Sequence, residues 1–363
     1  MRPDAAWRSS HDRGNRRLVT DTRERHRMRL LRGILHPLDS LDSLMAWLDD
    51  QLERPIFGRR RDGVSALLLL APGFAVVGVF GVFPLLSAIH LSLYGGFHEQ
   101  GDFVGLGNYA NALGSDRFWE SLLVTAYYAL GTIPTTMVIS FLVAYGLNRI
   151  VGGQGVLRTA YFLPYVTSAV AAAMIWRALL GSESGMLNDA LGHLGIPAQR
   201  WLLEPRGVLH LVTGGLVPSA VGPSLALCCV MAFEIWHGSG FMIVIFLAGL
   251  AAIPREFEEA ARIDGANTRQ LIWNVTLPLL SPTIFFLLVV SSIKAFQSFN
   301  SFYALVHERR MADTQNLVLY IYSTFYERGE WGYGAAVAVL LSLAIVGLTV
   351  VQWRFAGRKV HYE

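Results

Sequence analysis

Long apolar stretches alternate with short polar ones along this chain. Six stretches reach the roughly 20 apolar residues that a membrane-crossing helix needs. They lie at 64–94, 122–147, 159–180, 224–250, 277–302 and 335–353. The first is the longest and contains Pro72 and Pro84, which predicts a kink or a tilt. The stretch 208–221 is interrupted by glycines and prolines and reads as a re-entrant or surface loop, not a seventh span. The pattern predicts an all-α integral membrane bundle of six transmembrane helices.

The polar residues that precede the first span divide the chain further. Residues 1–63 form a basic tail, 64–353 the transmembrane domain and 354–363 a short C-terminal tail. No secretory signal peptide precedes the first span, which would then serve as an uncleaved anchor. Within the tail, Leu41, Leu44, Leu48 and Leu52 recur at helical spacing beside Trp47, and Asp39 or Ser40 can cap the segment. Both an amphipathic helix on the membrane surface and a poorly ordered tail fit this pattern. There is no internal repeat.

Composition agrees with a lipid solvent. Hydrophobic residues make up 53% of the chain, charged residues only 16%, and the mean hydropathy is +0.41. A soluble domain carries about 25% charged residues. Fourteen of the 30 Lys and Arg residues, all arginine, precede Gly63. No aromatic interleaving accompanies them, so a solvated or membrane-facing tail is favoured over a nucleic-acid partner.

Charge placement orients the bundle. With six spans and the N-terminus inside, the fourteen tail arginines join Arg149, Arg158, Arg255, Arg262, Arg269, Arg354, Arg358 and Lys359 on the cytoplasmic side. That gives 22 cations inside against 7 outside, with Lys294 within a span. Both termini are expected in the cytoplasm. The two cysteines, Cys228 and Cys229, are adjacent within an apolar run, offer no metal-ligand spacing and read as small packing residues.

The polar segment between the fourth and fifth spans carries the chemistry. It reads IPREFEEAARIDGANTRQLIWNVTLPLLSP over 253–282. Pro254 suits the first turn of a helix. Glu256, Glu258 and Glu259 place negative charge at its positive end. Ala260 and Ala261 are small and favour the helix, and Gly265 permits the left-handed turn that ends it. Thr268 can cap a second helix, and Pro278 opens the next span. The expected product is a short cytoplasmic helix whose small residues let another backbone approach.

This segment resembles the signature loop of binding-protein-dependent ABC importer permeases. The matching residues are Glu259, Ala260, Ala261, Gly265, Val275, Leu277 and Pro278, with Val275 replacing the commoner isoleucine. Asp264 and Ala266 complete an Asp-Gly-Ala string similar to the carbohydrate branch, which includes maltose-type and glycerol-phosphate-type inner-membrane permeases. FVGLGNYANAL (103–113), LRTAYFLPY (157–165), GFMIVIFLAGLAAIP (240–254) and GYGAAVAVLLSL (332–343) resemble the same branch in the same order, so the likeness runs from about residue 64 to 363. Two features depart from it. A Gly-Gly-Pro stretch with a following threonine is expected after the fifth span, but here LVHERRMADT keeps only Thr314. The loop around 205–223 is also longer than usual.

The resemblance implies a transport subunit of the bacterial inner membrane, not an enzyme. The implied partners are a second, homologous permease in a heterodimer, two ATPase subunits, an extracytoplasmic solute-binding protein and membrane lipid. The chain has no phosphate-binding loop ending in Gly-Lys-Ser or Gly-Lys-Thr, so it cannot bind ATP in that way itself, and no cofactor is expected in this chain. ATP and Mg would be held by the ATPase chains. The Glu259–Ala260–Ala261 helix would be the cytoplasmic coupling helix, with Glu259 paired to a basic residue of the ATPase and Gly265 setting its angle.

Polar residues within spans mark a pathway. Glu234 and Lys294 fall at similar depth in the fourth and fifth spans and can neutralise one another, either along the pathway or as a structural ion pair. Gln297, Ser298 and Asn300 follow, interleaved with Phe296 and Phe299, and suit a sugar-like solute with apolar faces and hydroxyl edges. Trp236 and His237 read as packing and helix-end residues. Two other classes compete. A self-contained secondary transporter calls for paired broken helices in related halves. An intramembrane enzyme calls for a nucleophile or metal constellation. The sequence pattern displays neither.

Overall fold

The computed structural model describes residues 60–96, 101–150, 152–182, 185–219, 221–306, 312–355 and 357. The possible amphipathic helix and almost all of the basic tail lie outside them. The described residues are nearly all helical, with isolated bridges Tyr94–Phe103 and Gly207–Ser224 in place of any strand. The chain divides into two compact units at Phe83 and Pro84, within the first apolar stretch.

In the first unit, α1 (Arg60–Val77) starts four residues before the expected span and continues through a π-helical stretch, Gly78–Val82. Pro72 lies inside α1. Helix α2 (Phe83–Leu91) contains the division, and all but its first residue belong to the second unit. That unit continues with α3 (Gly107–Leu113), α4 (Asp116–Asn148), α5 (Gln154–Val166), α6 (Ala169–Leu179), α7 (Met186–His193) and α8 (Val208–Val212). Next come α9 (Leu225–Ala251), α10 (Arg255–Ile263), α11 (Thr268–Leu271), α12 (Leu277–Leu279) and α13 (Ser281–Phe296). The last elements are α14 (Asn300–Val306), α15 (Leu317–Tyr322) and α16 (Trp331–Phe355).

Four helices are long and apolar enough to cross a membrane unbroken: Leu69–Leu91, α4, α9 and α16. The other two expected spans are bent pairs. The third consists of α5 and α6 at 91°, and the fifth of Thr268–Leu279 and α13 at 68°. Counting each pair once gives the six spans that the hydrophobic pattern predicts. The breaks correct the expectation of continuous helices, and local chemistry accounts for both. Thr167 is extended after α5, and its Oγ1 donates to the Pro164 carbonyl at 2.6 Å, occupying an acceptor that the broken helix leaves open. At Leu280 the backbone flattens between Pro278 and Pro282, and Pro282 has no N–H to return to the preceding turn.

Within the second unit, α9 packs most extensively on α4 and α5. One core cluster gathers Tyr128, Phe233, Phe302 and Leu305. Another gathers Ala144, Ile243, Phe246, Leu280 and Leu287. A third joins Phe118, Leu317, Tyr320 and Val337. Glycine decides two close approaches. A Cβ at Gly240 would lie 2.5 Å from the Tyr161 carbonyl, so α9 meets the α5 backbone directly. A Cβ at Gly332 would lie 1.8 Å from the Tyr94 carbonyl, which Asn108 Nδ2 also holds at 2.7 Å.

Candidate functional site

A cavity of about 150 Å³ lies among α4, α5, α9 and α13. Its lining includes Tyr128, Thr132 and Thr136 from α4, Tyr165 from α5, Glu234, His237 and Phe241 from α9, and Lys294 from α13. Helical spacing explains the first three: residues four apart share one face of α4. Thr132 and Thr136 return their hydroxyl hydrogens to the carbonyls four residues earlier, each at 2.7 Å. Polar side chains are thereby accommodated inside an apolar helix.

Glu234 and Lys294 therefore share a site, as expected, but among the described residues no ion pair joins them. Glu234 Oε2 instead accepts from Ser301 Oγ at 2.7 Å. Lys294 Nζ donates to the Tyr165 hydroxyl at 3.3 Å and lies 4.4 Å from the Phe241 ring centroid and 5.4 Å from that of Tyr165. Those two rings stack on each other at 5.4 Å. His237 stacks on Phe233, in keeping with its reading as a packing residue, and also lines the cavity.

Beyond Lys294 the fifth span breaks a second time, at 297–299, between α13 and α14. The break is held from three sides. The hydroxyls of Ser298 and Tyr128 meet at 3.2 Å, Asn316 Nδ2 donates to the Ser298 carbonyl at 2.5 Å, and Ser301 anchors to Glu234. Irregular backbone within a span is tolerated where side chains satisfy it or where it borders a cavity. Gln297 and Asn300 are exposed near this break and do not line the cavity. Hydropathy alone does not single out Tyr128, Thr132, Tyr165 or Asn316. Only the four-residue spacing of Tyr128, Thr132 and Thr136 hints at them.

The loop between the fourth and fifth spans folds largely as its residues dictate. Pro254 precedes α10, and Glu256 and Glu258 lie in its first turn. Gly265 ends the helix at φ +83°, and Ala266 N–H returns to the Ala261 carbonyl at 2.9 Å. The cap of the second helix is Asn267, not Thr268: Asn267 and Gln270 satisfy each other's backbone N–H groups at 2.9 Å. Pro278 lies within α12, so the fifth span does not begin there. Glu259, Ala260, Asp264 and Gly265 are exposed, whereas Ala261, Ala266, Leu277 and Pro278 are half-buried. Phe257 and Ile263 of α10 are 52% and 86% exposed, leaving apolar surface open among the described residues.

A second group of side chains ties α10 to the end of α4. Arg149 hydrogen-bonds Tyr145 on its own helix and reaches Glu258 at 3.3 Å, and Glu258 also pairs with Arg262 at 2.6 Å. At the opposite ends of α4 and α9, a cavity of about 420 Å³ is lined by Glu120, Tyr127, Arg206, Ser224 and Asp313. Ser224 caps α9, accepting from Leu227 N–H at 3.1 Å. Burial pushes the Asp313 carboxyl up, against a hydrogen bond with Ser224 that lowers it. Its Oδ2 is buried without a partner. The Arg206 guanidinium holds the Glu204 carboxyl below its ordinary range. No cluster of His, Cys, Asp or Glu able to hold a metal occurs among the described residues.

Residues 104–359 match the family model described as the inner membrane component of binding-protein-dependent transport systems. The chain belongs to this family. It is the membrane permease subunit of an ABC importer, not a self-contained secondary transporter. Its broken spans alone would not separate the two, because secondary transporters also carry them. It is 31% identical to the sn-glycerol-3-phosphate permease UgpA of Agrobacterium fabrum over 300 residues, covering 81% of this chain and 95% of that protein. It is 29% identical to the arabinooligosaccharide permease AraP of Bacillus subtilis, covering 90% of this chain and 96% of that one. The trehalose/maltose permease MalF of Thermococcus litoralis is 28% identical, with 80% and 93% covered. The fold is similar to a chain of a bacterial alginate ABC transporter solved with its periplasmic protein. The TM-score is 0.68 at 19% identity, covering 82% of this chain and 96% of that one.

Proposed function

We propose that this permease passes a sugar-like, hydroxylated solute along the Glu234–Lys294 cavity and is driven by separate ATPase subunits docked on α10. The observation that carries the reading is α10 itself. It is a short helix between two spans, with exposed Phe257 and Ile263, small Ala260 between them and a left-handed stop at Gly265. Apolar side chains left open in this way fit a partner surface. ATPase closure would move α10. The Arg149–Glu258 contact and the α11–α12 segment would carry that movement to α4 and the fifth span.

In this reading a second, homologous permease supplies the facing half of the pathway. ATP and Mg bind to the ATPase chains, and an extracytoplasmic binding protein delivers the solute. The relatives named for glycerol phosphate, arabinooligosaccharides and trehalose or maltose support a polyhydroxy solute. Gln297, Ser298 and Asn300 would border the path beside the second break. Both termini and α10 lie in the cytoplasm.

The test is ATP-driven uptake into vesicles containing the complex that copurifies with this chain. Uptake should require both ATP and the binding protein. Cysteines placed at Arg117 and Arg269, in a background lacking Cys228 and Cys229, should label from opposite sides. Uptake without ATP, or labelling of both positions from one side, would overturn the proposal.

A further inference from the structure

Lys294 is a cation within a span, and among the described residues no ion pair joins it to a carboxylate, although Glu234 lines the same cavity. Its Nζ has one hydrogen-bond acceptor, the neutral Tyr165 hydroxyl, at 3.3 Å. The faces of Phe241 and Tyr165 attract it through their quadrupoles, at 4.4 and 5.4 Å, but carry no net charge. Glu234, in the same cavity, makes its described short contact with Ser301, whose hydroxyl donates to Oε2 at 2.7 Å, and not with Lys294. Lys294 is exposed toward the cavity, and an ionisable residue within a span marks a functional site. An ammonium offers three donors and no acceptor, so two N–H directions are left for an occupant.

The rest of the cavity narrows the class of occupant. Glu234 Oε1 lies 3.7 Å from where a Cβ at Gly238 would stand, an ordinary contact, on the wall of the cavity. A carboxylate accepts hydrogen bonds and donates none. Its complement is a hydroxyl. The stacked Tyr165 and Phe241 rings offer an apolar face. The volume, about 150 Å³, suits one six-membered ring, since an apolar cavity of about that size takes up benzene.

Resting on the importer reading above, we propose that Lys294 selects the solute by its charge. The solute is a hydroxylated acid whose carboxylate or phosphate meets the Lys294 ammonium while a hydroxyl donates to Glu234. Delivery of this anion would give Lys294 a direct ion pair, which a neutral sugar of the same size cannot supply. Lys294 is then a specificity residue, and Glu234 both orients the solute and anchors α14 through Ser301.

The experiment uses vesicles containing the complex copurified with this chain, supplied with its binding protein. The probes are galacturonate and glycerol 3-phosphate, matched against galactose, glycerol and maltose. One of the two acids should be imported in preference to its neutral match, and which one distinguishes a carboxylate from a phosphate. Lys294→Gln should raise the half-saturating concentration of that acid by about 10-fold or more, the scale of a lost charged hydrogen bond. Lys294→Arg keeps the charge with a different donor geometry and should retain more of the acid preference than Lys294→Gln. Thermal melting of both variants confirms that they fold. Import of a neutral probe alone would overturn the charge proposal and leave the importer reading standing. So would acid import that is unchanged in Lys294→Gln. Absence of import of both acids would overturn the charge proposal, and import of an acid that needs no ATP would overturn the importer reading.

Discussion

Ser301 and Glu234 lie on different helices, and the Ser301 hydroxyl donates to Glu234 Oε2 at 2.7 Å. The bond joins α14, just past the break in the fifth span, to the middle of α9. A helix break loses its own backbone bonds and needs such external anchors. Ser301→Ala should therefore loosen the break. A hydrogen bond to a charged group contributes about 1.5–3 kcal/mol. Ser301→Ala should destabilise by up to that amount, read as a lower melting temperature in detergent. Glu234→Gln keeps an acceptor and should cost less. A double-mutant cycle with no coupling between the two positions would show that the contact does not hold the break.

Gly240 makes a sharper test of helix packing. A side chain there would run into the Tyr161 carbonyl at 2.5 Å and the Phe162 Cα at 3.1 Å. Both are backbone atoms and cannot rotate away. Gly240→Val should cost at least about 1–3 kcal/mol, the range for overpacked cores. Gly146 on α4 has nothing within 4 Å of its would-be Cβ. Gly146→Ala should be neutral or stabilising by up to about 1 kcal/mol, since alanine suits a helix better. Equal melting temperatures for the two variants would contradict the close approach of α9 and α5.

The six apolar stretches and the loop at 253–282 could be read from sequence because each depends on local residues. Hydropathy counts spans, and proline, glycine and acidic residues announce α10 and its end. The breaks at Thr167 and Leu280 were harder to foresee. Pro164 and Pro282 were visible, but proline inside a helix does not always bend it, as Pro134 inside the unbroken α4 shows. Whether a span breaks depends on what fills the lost bonds, and at the 297–299 break those partners are distant in sequence. Asn316 reaches Ser298 across 18 residues, and Tyr128 reaches Ser298 across 170. The Glu234–Lys294 pair failed for the same reason. Equal depth in two spans brought both residues to one cavity, but Ser301 and the Tyr165 and Phe241 rings engaged them separately.

Two carboxyls at the far ends of α4 and α9 predict opposing responses to pH. Burial raises the Asp313 carboxyl above its ordinary value, so the folded state holds its proton more tightly than the unfolded chain does. Its penalty is present at neutral pH and is relieved as pH falls through the raised folded value. The Arg206 hydrogen bond lowers the Glu204 carboxyl, so its stabilisation is present above the ordinary glutamate range and is lost as pH falls through the depressed value. Mild acidification from neutral pH should therefore stabilise this region before stronger acid destabilises it. Asp313→Asn should raise the melting temperature at neutral pH and remove the rise on mild acidification. A variant with an unchanged pH profile would mean that Asp313 does not titrate in this range.

Substitutions on α10 separate a docking helix from a solvated loop. Ala260 and Glu259 are exposed, and among the described residues the flanking Phe257 and Ile263 side chains are left largely open. On a free surface, changes at such positions stay within about 0.5 kcal/mol and leave transport intact. Even the Arg149–Glu258 contact, partly exposed on both sides, should contribute no more than about 1 kcal/mol to the chain alone. A partner surface changes these expectations. Ala260→Trp would hold the partner's backbone away, and Glu259→Lys would set a cation against the basic residue expected there, a repulsion of several kcal/mol. Gly265→Pro differs in kind, because proline is confined to φ near −65° and Gly265 adopts +83°. The turn would have to rearrange, and α10 would leave its present angle. All three variants should insert and melt close to the parent protein, yet lose ATP-driven uptake and retain less ATPase subunit on copurification. Binding of the loaded solute-binding protein at the opposite face should survive. Full uptake and normal ATPase recovery in all three would remove α10 from the coupling path.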